Sequence, residues 1–177
     1  MNKKLPEYWL RGPLPEIHPL LQPAAHALLQ AQMEIHELME HFPAELLWQQ
    51  PAKTASPAFH LQHITGVLDR LFTYASGGQL SQEQLSYLSE EGRKKEDIIV
   101  ISLLSAFDNQ IKSSIEYLQK VTPETLTEER LVGRNKIPST RLGLLFHAAE
   151  HTMRHLGQLL VSVKVIVAEN NDKIIEQ

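Results

Sequence analysis

Apolar side chains recur at helical spacing in several long stretches of the chain, and proline or glycine breaks the pattern between them. Leu21, Ala25, Leu28, Leu29, Gln32, Ile35 and Met39 keep one such phase. They predict a first helix that starts between Pro19 and Pro23, runs to about Glu40 and ends at Phe42-Pro43. Before it, residues 1–18 carry Pro6, Pro13 and Pro15 and read as an extended arm. After it, residues 44–49 fit one short turn with Leu47 and Trp48 as core plugs. Ser56 is a good N-cap and Pro57 suits the first helical position, so a second helix is expected from there to the stop at Gly77-Gly78. Ser81 and Gln84 stand as a capping box for a short helix over 81–91.

A long helix over about 95–120 follows from the stripe Ile98, Ile101, Leu104, Ser105, Ala106, Ile111, Ile115 and Leu118, with Thr122-Pro123 closing it. Residues 124–138 are irregular, since Gly133, Asn135 and Pro138 oppose regular structure; no strand pattern stands out, and 130–137 is at most an edge hairpin. Ser139 or Thr140 caps a last helix that runs to about Ala168, and the polar residues 169–177 are expected to fray. Four long helices with short accessories predict an all-α four-helix bundle, one domain spanning 1–177.

Composition narrows the function classes. The 177 residues contain 42% apolar and 21% charged side chains, ordinary values for a soluble globular chain. The net charge of −4 offers no basic stripe for nucleic acid. The one basic cluster, Arg93-Lys94-Lys95, sits among Glu90, Glu91, Glu96 and Asp97 and reads as a solvated helix start. No cysteine is present, which excludes thiolate metal sites and thiol nucleophiles and suits a reducing cytoplasm. Lys3-Lys4 resemble the start of a signal peptide, but Pro6 and Glu7 interrupt the apolar run that should follow. No stretch of about 18 uninterrupted apolar residues predicts a membrane span.

Nine histidines change the picture, through their placement. His147, His151 and His155 repeat every four residues on the last helix, and side chains four apart sit one turn above each other on one face. Two imidazoles so placed can share a metal ion. The metalloprotease motif with this geometry has a Glu directly after its first His. Ala148 and Thr152 occupy that place here, so that reading fails. The second helix offers His60 and His63 as further ligands. Three histidines with an open fourth position suit catalytic zinc, and also nickel, cobalt or iron(II). Against this stands the ordinary role of a helical histidine, surface or satisfied core, which is the reading for His18, His26, His36 and His41. Spacing alone leaves both readings open for the pairs on the last helix.

The runs Phe59-His60-Leu61-Gln62-His63-Ile64 with Asp69-Arg70-Leu71, and Ala149-Glu150-His151-Thr152-Met153-Arg154-His155-Leu156-Gly157-Gln158, resemble the DinB/YfiT-like family. The N-terminal Tyr8-Trp9-Leu10-Arg11-Gly12-Pro13 is similar to one branch of it. The resemblance implies an up-down-down-up four-helix bundle, often a homodimer. It also implies a divalent metal, zinc first and nickel next, held by His63, His151 and His155. The pair before Gly157-Gln158 is preferred over His147 and His151, with His147 lining the pocket or backing a ligand. Some relatives are thiol-dependent transferases or isomerases that use low-molecular-weight thiols.

The expected function is therefore a metal-dependent enzyme acting on a small molecule, by thiol S-transfer or by metal-water hydrolysis. The alternative is a non-catalytic metal-binding or dimerisation module. Candidates for a general base are Glu150, Asp69 and His60, although Glu150 points about 100° away from His151 and Asp69 suits a salt bridge. Gln158 is expected to hydrogen-bond near the site, and Gly157 to permit close helix packing. Arg154 is expected in a surface salt bridge, or against an anionic substrate. Trp9, Trp48 and Tyr74 are expected as core or groove aromatics.

Overall fold

The computed structural model describes residues 5–175, with side chains to residue 170. Residues 1–4, with the lysines of the signal-like start, and residues 176–177 of the polar tail lie outside the described residues. Five α-helices and one hairpin make up the fold: α1 (Gln22–Met39), α2 (Pro57–Ala75), α3 (Gln82–Glu90), α4 (Val100–Lys120), β1 (Glu129–Val132), β2 (Ile137–Thr140) and α5 (Arg141–Ile175).

The expected caps form. Ser56 Oγ accepts from the Phe59 N–H and Pro57 opens α2. At its other end Gly77 takes φ +87°, and the Gly77 and Gly78 N–H groups return to the carbonyls of Tyr74 and Thr73. Only glycine enters that left-handed conformation cheaply. Ser81 and Gln84 close the capping box of α3. Thr140 Oγ1 accepts from the Gly143 N–H at the start of α5.

The contacts fix the helix directions. Arg141, at the start of α5, donates to the carbonyl of Ala75 at the end of α2, so these helices are antiparallel. Phe72 packs edge-on against Tyr117 and Asp69 shares a cleft with Gln110, so α2 and α4 run parallel. On α1, Gln32 and His36 both bond Asp108 of α4, and Leu29 lies beside Ile115, an antiparallel crossing. The order is up-down-down-up. Leu28, Ile35 and Met39 of α1, Leu61, Ile64 and Leu68 of α2, Phe107 and Ile111 of α4, and Leu145, Leu159 and Ile166 of α5 fill the centre. Among the described residues no helix is long and apolar enough to cross a membrane.

Several expectations need correction. The fourth helix starts at Val100, five residues late, because the preceding chain must first dock Gly92 on α2: its N–H donates to Gln62 Oε1. Arg93 and Lys95 therefore lie in the irregular connection before α4, where both pair with Glu90. The buried stripe of α4 is Leu103, Phe107, Ile111, Ser114 and Leu118, and Ile101 is 74% exposed. Residues 129–140 do pair as a hairpin, Glu129 opposite Thr140 and Val132 opposite Ile137, its turn made by Gly133 and Lys136 at positive φ. The last helix continues past 168 to Ile175; Asn170 ties the added turn to Gln49 Oε1 and the Ile166 carbonyl. The N-terminal arm is a docked strap with a 3-10 turn at Tyr8–Leu10. It is held on α1 by Gln30, which accepts from the Tyr8 N–H, and by Gln22, which bonds Leu14 and Ile17. Trp9 on this strap is exposed, whereas Tyr74 is buried and Trp48 packs at the core edge.

Candidate metal centre

Antiparallel packing brings His63 of α2 level with His151 and His155 of α5. His63 Nε2 lies 3.0 Å from His151 Nε2. The His155 ring centroid is 4.6 Å from those of both His63 and His151. One ligand nitrogen from each ring falls within 4.8 Å of the others, so the three histidines form a half-buried cluster that can hold a metal ion. No other side chain joins this group among the described residues.

Two of the rings are held from behind. His63 Nδ1 is 2.7 Å from Glu91 Oε2, and the other oxygen of Glu91 accepts from Arg70 Nη1 at 2.6 Å. This ion pair is deeply buried, with the two side chains only 4% and 8% exposed. His155 Nδ1 lies 3.1 Å from His60 Nδ1. Both contacts leave an Nε2 for the centre. Phe59 stacks on the His63 ring at 5.2 Å, nearly parallel. His151 Nδ1, by contrast, is buried without a hydrogen-bond partner. An unmet buried nitrogen costs about 1–3 kcal/mol, so the ring-to-ring hydrogen bonds leave one polar group of the cluster unsatisfied.

The other candidates fall elsewhere. Glu150 is on the outer face of α5, paired with Arg154 and 3.3 Å from His147 Nδ1. Its carboxylate does not face the cluster, because one residue of helical rotation separates it from His151. His147 is half exposed and touches the centre only through its ring contact with His151. Asp69 accepts from Gln84 Nε2 and serves to dock α3, with no arginine partner among the described residues. Gly157 packs against nothing: a Cβ there meets open space. Together with Gln158, Thr54, Arg154 and His60 it lines a cleft of about 540 Å³ between the start of α2 and α5.

Sequence reasoning missed Glu91, Arg70 and Gly66. The spacing of His63, Gly66 and Arg70 at i, i+3 and i+7 marks one face of α2, and a glycine and an arginine sharing the face of a candidate ligand was the available signal. Glu91 offered none, since it stands in a charge run.

Burial pushes the imidazoles of His60 and His155 down to about 4, with His63 nearby adding to both shifts. Burial also lowers His151. These rings are neutral near neutral pH and keep their lone pairs. The linkage has a definite sign: in the unfolded chain both histidines protonate near 6.5, so the folded metal-free state binds fewer protons between 6.5 and about 4. Its stability is complete above that window and is lost as pH falls through it. Metal-free protein should melt at a distinctly lower temperature at about pH 5 than at about pH 7, and His60→Phe should flatten the difference. Equal slopes for the two proteins in thermal melts would contradict this.

The family model of the DinB superfamily matches residues 27–159, three quarters of the chain. No protein with a curated description matches it. Among solved structures, that of a "conserved protein of locus from Enterococcus faecalis" is similar at a TM-score of 0.67 and 16% identity, covering 83% of this chain and 96% of the other.

Proposed function

Because the chain belongs to the DinB superfamily, we propose that it is a metal-dependent enzyme acting on a small molecule, with a divalent ion held by His63, His151 and His155. Zinc is the first expectation and nickel the second, since three neutral imidazoles suit both. The observation that carries the reading is the cluster itself, three ligand nitrogens within 4.8 Å with no fourth protein ligand among the described residues. A structural zinc normally has four protein ligands, whereas a catalytic one keeps a position open. An ion held there would supply Lewis acidity to a water or a thiolate at that position.

The chain's own groups prepare the site. Glu91 and His60 fix the rings of His63 and His155. Phe59 walls the His63 ring. The cleft beside His60 offers Arg154, Gln158 and Thr54 as polar contacts for a substrate. His60 itself, buried and neutral, suits hydrogen bonding better than carrying a proton. Thiol S-transfer with a low-molecular-weight thiol is the most specific version of the reaction, and hydrolysis the broader one. Cysteine-free composition suits a cytoplasmic setting. A homodimer is the assembly that the family resemblance implies.

The test compares metal-loaded with chelator-treated protein against a panel of thiols and electrophilic acceptors. Metal-dependent turnover of at least one pair is the expected result. Turnover that survives chelation would remove the metal from the reaction, and silence across the panel would leave the non-catalytic metal-binding or dimerisation module as the better reading.

A further inference from the structure

A histidine binds metal through the nitrogen that carries no proton, so the contact at its other nitrogen decides whether it can bind at all. At His63 that contact is Glu91. An ionised carboxylate only accepts hydrogen bonds, so with Oε2 2.7 Å from Nδ1 the ring proton belongs on Nδ1 and the lone pair on Nε2, the atom that faces His151.

Glu91 reaches this position through an unusual gap. It comes from the connection after α3, outside the four long helices, and it lies against α2 where residue 66 has no side chain. A Cβ at Gly66 would sit 2.5 Å from Glu91 Oε1, 2.6 Å from Arg70 Nη1 and 2.7 Å from Tyr87 Cε1. At such distances something must shift, and all three neighbours belong to one packed group. The connection is clamped around this gap. The Tyr87 hydroxyl donates to the Gln62 carbonyl, and the Gly92 N–H donates to the Gln62 side chain. Gly92, at φ +80°, would bring a Cβ within 2.9 Å of Phe59, the ring stacked on His63. Arg70 completes the arrangement by holding the second oxygen of Glu91.

We propose that Glu91 is the positioning residue of His63, held by Arg70 in a niche that exists because residue 66 is glycine, and that it sets the imidazole tautomer that turns Nε2 toward the centre. The inference rests on the metal-binding reading for its purpose, but not for its first test.

Glu91→Gln separates charge from shape. Arg70 has only donors, so it claims the amide oxygen. The amide NH₂ then faces His63 Nδ1, which must accept, and the ring proton moves to Nε2. A near-isosteric change should thus invert the tautomer. Nitrogen NMR of the imidazoles in metal-free protein should show His63 as the Nδ1–H form in the native chain and as the Nε2–H form in Glu91→Gln. Zinc affinity, measured by competition with a chromophoric chelator, should fall roughly 10–100-fold. Gly66→Ala should displace the carboxylate and weaken zinc in the same direction, although alanine favours a helix. Thermal melts of metal-free samples check that each variant is folded.

An Nε2–H form of His63 in the native protein, or native-like zinc affinity in folded Glu91→Gln, would overturn the proposal. If native protein binds no zinc while the tautomer still switches between the two chains, the metal reading fails and the positioning role stands.

Discussion

Protein purified without a histidine tag should carry stoichiometric divalent metal, and both His63→Ala and His155→Ala should lose it. Losing an outer partner of a ligand costs roughly 10–100-fold in affinity, and losing one of three ligands should exceed that. The two substitutions take one imidazole from each helix, so they probe the interface between α2 and α5 as well as each ring. His147→Ala is the internal control. His147 shares the four-residue spacing with His151, but its half-exposed ring pairs with Glu150 and stands apart from the cluster of three. It should keep its metal. Elemental analysis of the four proteins decides the matter: equal metal in all of them would sink the triad, and loss in His147→Ala alone would move the site one turn toward the start of α5.

The contrast between His147 and Glu91 shows what could be read in the sequence. The helices were legible because their caps and breakers are local: Ser56-Pro57, Gly77-Gly78, Ser81 with Gln84, and Thr140 each act within a few residues of themselves. The histidine triad was legible because a spacing of four on one helix is a spatial statement, and the family resemblance selected among the pairs. Where the chain answers to distant partners, local pattern misled. Gly92 had to dock on Gln62 before α4 could begin, so that helix starts later than its apolar pattern suggests. Asn170 gains a partner in Gln49, so a polar tail continues as helix. The hairpin depends on a turn at Gly133 and Lys136, and the same residues read as loop. Glu91 stands in a run of charges that is solvated in most proteins, and only tertiary packing makes it 4% exposed.

The second large effect concerns that packing. Arg70→Met should destabilise the protein by about 3–5 kcal/mol, because removing one partner of a buried ion pair strands the other. For a chain of this size that corresponds to a melting temperature lower by roughly 6–20 °C. The double variant Arg70→Met/Glu91→Met should recover much of the loss, since an apolar pair can replace a buried ionic one at little cost. The site should not recover with it. His63 Nδ1 would face a thioether in place of a carboxylate, and the zinc affinity of the double variant should stay below that of the native chain. Thermal melts in chelator and zinc competition on the same samples separate the two responses. If Arg70→Met melts like the native protein, the pair is not the buried anchor that its geometry describes.

The parallel course of α2 and α4 has a consequence for how such a site diversifies. A parallel pair cannot be joined by a short turn, so the chain must return along the bundle, and residues 76–99 are that return. The three imidazoles belong to the frame, and the carboxylate that governs one of them belongs to the return. Ligands and their tuning are therefore inherited on separable parts of the chain. Grafting a different return onto the same four helices would change the donor strength of His63 while leaving every ligand in place, which makes this connection the natural point at which one bundle acquires new chemistry.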